Sequence, residues 1–211
     1  MKLYLPLLLI LVVTSTGCTQ TQHNAPSDKV VGGPCEGCEA IFEYGTKHLN
    51  SIDTLPDFSD KGPRLVVTGT IFKSDGKTPA PGVILYIYHT NQEGIYPTKG
   101  DEKDWAKRHG YIRGWIKTGA DGRYTFYTLR PGAYPGRENP EHIHPLIKEP
   151  GFIAYYIDEY LFDDDPILTT SERSRQEKRG GNGIMKVSKD KNGDLVIRRD
   201  IVLGMNVPGY K

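Results

Sequence analysis

Short runs of strand-forming residues, each cut off by a turn, constrain this chain more than any other feature. Arg64–Phe72 is rich in β-branched residues and stops at Ser74-Asp75-Gly76-Lys77. Gly82–His89 follows, and after the turn Thr118-Gly119-Ala120-Asp121-Gly122 comes Arg123–Tyr127 with alternating aromatics. Ile143–Ile147, Phe152–Ile157, Ile184–Ser188 and Leu195–Val202 continue the series, the last two joined by Lys191-Asn192-Gly193-Asp194, a strong hairpin signal. With 24 glycines and 15 prolines in 211 residues, the chain has turns to spare, and no long amphipathic helix competes. The pattern predicts a mainly β sandwich or barrel. The polar stretch Lys99–His109 is expected to be a loop with room for a helical turn.

The N-terminus reads separately. Met1-Lys2 is a short basic start, and Leu3–Val13 is an apolar run too short for a membrane span, which needs about 20 residues. It leads to Thr14-Ser15-Thr16-Gly17-Cys18, which resembles a bacterial lipobox, although Ser15 stands where leucine is usual. Residues 1–17 are therefore expected to be a lipoprotein signal, with Cys18 bearing the membrane-anchoring lipid; ordinary secretory cleavage nearby would also export the chain. Residues 18–61 are read as tether and lead-in, and 62–211 as one domain. Cys35 and Cys38 form a C-x-x-C without a surrounding βαβ pattern. In an oxidising compartment they are expected to be a structural disulfide, with half of a metal site as the other option. With 27 basic against 26 acidic residues, the chain lacks the basic excess of a nucleic-acid binder.

Chemistry concentrates between Tyr96 and His144. In a strand, His142 and His144 of Glu141-His142-Ile143-His144-Pro145 share a face, and two imidazoles on one face can chelate a metal ion. H-x-H also occurs on ordinary exposed strands. Tyr96 and Tyr134 lie in Gly/Pro-rich loops, in Gly94-Ile95-Tyr96-Pro97 and Pro131-Gly132-Ala133-Tyr134-Pro135, where functional residues gather. Among 13 tyrosines, residue type alone singles out neither.

The order of these pieces carries more information than any one of them. Gly-x-Tyr-Pro is followed by the Arg113–Pro135 run, containing Asp121-Gly122-Arg123-Tyr124-Thr125-Phe126 and Pro131-Gly132-Ala133-Tyr134-Pro135, and then by His142-Ile143-His144. This closely resembles the intradiol ring-cleavage dioxygenases, the family of catechol and protocatechuate dioxygenases. The likeness extends from about Gly69 past His144 and more loosely to Leu203. It implies an antiparallel β-sandwich whose loops form the metal site, with Tyr96, Tyr134, His142 and His144 as ligands of non-haem Fe(III). Phenolates suit a hard trivalent ion, and two of them plus hydroxide balance its charge. The implied substrates are a small aromatic diol and O₂, and the product is a muconate-type dicarboxylate. No nicotinamide or flavin fingerprint is present.

The sequence departs from the family pattern at Asn139, where an arginine is often found three residues before the first histidine. Arg137, Arg130 and Arg113 are the nearest replacements. The connection from Tyr134 to His142 is compact, which predicts a pocket that is either more open or walled by other segments such as Lys99–His109. His89 and His109 are expected to be non-ligands, and Trp105 and Trp115 to be packing or pocket wall rather than catalytic. Asp163–Asp165 is expected to be a solvated acidic loop. Tyr155, Tyr156 and Tyr160 are expected at the sandwich edge with hydroxyls in water. Two other readings are a non-catalytic transthyretin-like β-sandwich module and an iron protein with a different aromatic or polymer-derived substrate.

Overall fold

The structure is a computed structural model that describes residue 1, residues 27–136 and residues 139–211. Residues 2–17 of the expected signal, Cys18 of the expected lipobox, and Arg137 lie outside the described residues. A 3-10 turn, Cys38–Phe42, precedes β1 (Ile52–Thr54), β2 (Arg64–Phe72) and β3 (Ile84–Tyr88). Next come α1 (Ala106–His109), β4 (Arg113–Lys117), β5 (Arg123–Leu129) and β6 (His142–Lys148). After these lie β7 (Tyr155–Tyr156), β8 (Tyr160–Phe162), α2 (Thr170–Arg175), β9 (Ile184–Met185), β10 (Ser188–Lys189), β11 (Leu195–Arg198) and β12 (Ile201–Val202).

These strands form two sheets, one in the order β1-β5-β2-β11-β10 with β12 beside the end of β2, the other β4-β3-β6-β8-β9 with β7 beside β6. The sandwich expectation holds, with one difference. Both sheets are mixed, because β1 pairs β5, β11 and β12 pair β2, and β8 pairs β9 in parallel. The hairpin at 190–194 forms as expected. The expected strand over Leu195–Val202 breaks after Arg198, and Phe152–Ile157 is reduced to its two central tyrosines.

Alternation along the strands separates two apolar clusters. Leu85, Ile87, Ile116, Ile143 and Ile147 point inward to meet Leu65, Val67 and Phe126 of the other sheet. Tyr86, Trp115 and Leu146 point outward and would meet water, but Cys38, Ala40 and Ile41 of the 3-10 turn cover them. Thus part of the segment read as a lead-in is built into the sandwich. Asp53 accepts the Trp115 N–H, and the buried Asp57 accepts the Thr128 hydroxyl and the Leu129 N–H. Among the described residues no helix is long and apolar enough to cross a membrane.

Two local expectations are corrected. The Tyr155 hydroxyl donates to buried Glu149 (2.7 Å), and the Tyr160 hydroxyl pairs with that of Tyr124 (2.9 Å), so neither reaches water. A buried phenol keeps a partner because an unpaired one costs more than the bond returns. In the acidic loop, Asp165 is buried and accepts the Glu141 and Ile167 N–H groups, while Asp164 holds Arg130 with both oxygens.

Candidate metal centre

The centre lies on the outer face of the second sheet, beside the outer apolar cluster. His142 and His144 stand on that face of β6, while Ile143 enters the core, as period-two alternation requires. Tyr96 is in the loop after β3 and Tyr134 in the loop after β5. Those loops are fastened together: the Gly132 N–H donates to the Asn91 carbonyl (2.9 Å), and the Thr90 hydroxyl donates to the Gly132 carbonyl (2.8 Å).

The four side chains converge. The phenol oxygens of Tyr96 and Tyr134 are 2.6 Å apart, and His144 Nε2 is 2.9 Å from Tyr96 Oη and 3.4 Å from Tyr134 Oη. His142 Nε2 is 3.1 Å from Tyr134 Oη and 3.0 Å from His144 Nε2. The outer nitrogens explain the tautomers. His142 Nδ1–H donates to the Pro140 carbonyl (2.6 Å), and His144 Nδ1 faces Glu159 Oε1 at 3.2 Å. Both Nε2 atoms are thereby left as lone-pair donors.

Two such lone pairs 3.0 Å apart repel unless a cation lies between them, so this donor set fits a metal ion. Burial, followed by the hydrogen bond that Tyr96 donates to Tyr134, pushes the Tyr96 phenol well above its ordinary range, and burial also pushes Tyr134 up. A highly charged cation reverses that cost by stabilising the phenolate. Burial, reinforced by the neighbouring His144, pushes His142 down and keeps its imidazole neutral, as ligation requires.

Glu159 was not foreseen. Its oxygen and one ring nitrogen each of His142 and His144 lie within 4.8 Å of one another, the composition of a two-histidine, one-carboxylate site. The geometry decides against that: Glu159 meets the Nδ1 edge of His144, whereas the phenols and His142 meet the Nε2 edge. Glu159 instead holds the outer edge of the His144 ring. Burial works to raise its carboxyl, but the hydrogen bond from His144, aided by the electrostatic field of the two imidazoles, outweighs this and holds it below the usual carboxylate range. No local signal marks Glu159, which reaches His144 through the pairing of β6 with β8.

The remaining candidates fall elsewhere. His89 is fully buried, with its ring nitrogens on the Thr90 carbonyl and the Thr128 hydroxyl, and is not a ligand. His109 stands apart from the four converging groups, with its Nδ1 on the Tyr86 hydroxyl at 2.9 Å and its ring stacked on Tyr88. Trp115 packs in the outer cluster, and Trp105 lines a cleft. Arg130 is held by Glu141 and Asp164, and Arg113 by Glu43. Three clefts of about 390, 370 and 220 Å³ meet at His144. Asn139 lines the second, and the unforeseen Arg175 of α2 lines the first two.

Fold and cluster together define a β-sandwich protein with a candidate metal centre on its outer face. A family profile described as Dioxygenase matches residues 39–178. The chain is 30% identical over 137 residues to the protocatechuate 3,4-dioxygenase beta chain of Burkholderia cepacia, covering 59% of this chain and 58% of that one. It is 42% identical over 110 residues to catechol 1,2-dioxygenase 1 of Acinetobacter lwoffii, covering 50% and 32%. The matches therefore span less than two thirds of either relative. Among solved structures, the dioxygenase domain of a dioxygenase–carbohydrate-binding fusion from Streptomyces sp. SirexAA-E aligns with a TM-score of 0.58 at 25% identity, covering 85% of this chain and 98% of that one. Catechol 1,2-dioxygenase from Acinetobacter sp. ADP1 shares the fold, with a TM-score of 0.55 at 21% identity and coverage of 74% and 58%. The chain belongs to the intradiol ring-cleavage dioxygenase family.

Proposed function

We propose that this protein is a non-haem Fe(III) dioxygenase that opens the ring of a catechol between its two hydroxyl-bearing carbons, using O₂ to give a muconate-type dicarboxylate. The observation that carries this reading is the convergence of two phenol oxygens and two imidazole Nε2 atoms, with both Nδ1 atoms turned outward. Tyr96, Tyr134, His142 and His144 would hold the ion. Bound ferric iron supplies the electron-accepting centre that activates a chelated diol toward O₂. Glu159 and the Pro140 carbonyl keep the imidazoles aimed inward. The phenol oxygens, 2.6 Å apart, are the bases closest to the centre and are placed to receive protons from an entering diol.

The clefts meeting at His144 give a monocyclic diol a path to the centre. A binding module has no use for four converging donors, which favours the enzyme over the transthyretin-like reading. We also propose export and anchoring to the bacterial cell envelope through a lipid on Cys18, read from residues 1–18.

The test is direct. Iron-loaded protein should show a broad visible tyrosinate-to-Fe(III) band that shifts on anaerobic addition of catechol, and should consume O₂ as a dicarboxylate forms. Tyr134→Phe or His142→Ala should abolish or severely weaken the band. Protein that stays colourless and takes up no iron on reconstitution refutes the assignment.

A further inference from the structure

The Cys35–Cys38 pair is disulfide-bonded and closes a turn with Glu36 and Gly37 at its tip. The turn lies just ahead of the family-matched residues, yet it borders the centre. Pro34, Cys35 and Glu36 line the cleft that contains His144 and Glu159, and Glu36 lines a second cleft with Tyr96, Tyr134 and His144.

Behind this wall the contact is continuous. Gly37 presses on His109 and Trp105 so closely that a Cβ on it would lie 3.1 Å from His109 Nε2 and 3.3 Å from Trp105 Cε3. The His109 ring stacks on Tyr88 with centroids 3.7 Å apart and planes 7° from parallel. Tyr88 in turn stacks on His144 at 4.6 Å and 18°, and its ring lies 5.8 Å from that of Tyr96. His109 is pinned by the Tyr86 hydroxyl, so it cannot swing away from Tyr88 without losing a buried hydrogen bond. Among the described contacts, His144 is gripped at its Nδ1 edge by Glu159 and on a ring face by this stack.

We propose that the disulfide-closed turn, His109 and Tyr88 form a buttress that positions His144, so that the proposed metal centre reaches full affinity only with Cys35 and Cys38 oxidised. This rests on the functional reading above for the ligand role of His144, though not for the stacking itself. Reduction adds two electrons and two protons from a dithiol, opening the S–S bond to two thiols. The turn tip is then released from its closed form, and the wall behind His109 loosens. A neighbour that aims a metal-ligating histidine is worth about 10- to 100-fold in metal affinity.

The experiment uses the full chain as wild type, Cys35→Ser/Cys38→Ser, Tyr88→Leu and Tyr88→Phe. Ferric-iron affinity is read from the visible band, and the ring-nitrogen NMR signals of His144 are read in metal-free protein. The double serine variant and Tyr88→Leu should each bind iron at least tenfold more weakly and broaden or split the His144 signals. Tyr88→Phe, which keeps the stacked ring, should retain both. Treating wild type with a dithiol should reproduce the double serine phenotype, and treating that variant should change nothing.

Wild-type affinity and unaltered His144 signals in the double serine variant would overturn the proposal, as would equal losses in Tyr88→Phe and Tyr88→Leu. Tyr88→Leu keeps the disulfide, so a folding defect confined to the serine variant cannot decide the matter. If wild type takes up no iron, the functional reading fails, and the metal-free NMR comparison still decides the buttress.

Discussion

Gly94→Ala should separate the two tyrosine loops while leaving both phenol side chains in the sequence. Gly94 has φ +77°, and a Cβ there would lie 1.9 Å from the Ala133 carbonyl oxygen and 3.0 Å from the Tyr134 Cα. A carbon–oxygen contact relaxes at about 3.3 Å, so the Tyr134 loop must retreat by roughly 1.4 Å. The left-handed backbone adds about 1–2 kcal/mol for alanine. Weakening the Gly132–Asn91 and Thr90–Gly132 hydrogen bonds adds about 1 kcal/mol each, for a total of about 3–4 kcal/mol. The phenol oxygens, now 2.6 Å apart, are pulled out of register, and a misplacement near 1 Å is enough to cost on the order of 100-fold in rate. Urea unfolding measures the first effect; iron titration by the visible band and initial rates measure the second. Gly100→Ala is the control: its φ is +97° but nothing lies within 4 Å of the added carbon, so it should lose stability and keep iron binding. Gly94→Ala protein with wild-type stability, iron affinity and rate would refute the argument that backbone contact between the loops sets the centre.

Other consequences follow from neighbouring groups. Glu159→Gln should weaken iron binding about 10- to 100-fold by loosening the aim of His144, while thermal stability changes little; an iron titration showing no loss would assign Glu159 no orienting role. Burial, with added repulsion from His144, Arg113 and Arg108, pushes His109 down to about 4. Because the unfolded chain takes up that proton first, stability should be complete above about pH 6.5 and fall toward pH 4 by at most about 3 kcal/mol. Urea midpoints across that range should flatten in His109→Gln. Tyr124→Phe removes a hydroxyl that donates to the Arg199 carbonyl at 2.7 Å and pairs with Tyr160, and should cost about 1–2 kcal/mol with iron affinity intact.

What the amino-acid order determines here is local. Period-two alternation marks β2, β3, β5 and β6, and it puts His142 and His144 on one face because the two residues are bound to share it. The Asp190–Asp194 hairpin closes because its turn lies within the segment. The motif order marks the four residues that the structure brings together, and C-x-x-C marks a disulfide that forms.

Everything that depends on partners distant in the chain was decided by tertiary structure. Parallel pairing of β1 with β5 and of β11 with β2 joins segments whose own patterns are silent about direction, so the sheets are mixed. Tyr155 and Tyr160 look like edge residues until Glu149 and Tyr124 supply buried partners. Glu159 and Arg175 carry no motif; Glu159 meets His144 because β8 pairs with β6, and Arg175 is brought by α2 to the wall of the clefts beside it. The chain order supplies the donor types, because chemistry belongs to side chains. Their aim belongs to the fold, because the groups that hold each imidazole and bring the two phenol loops together act through space, and strand periodicity does not encode them.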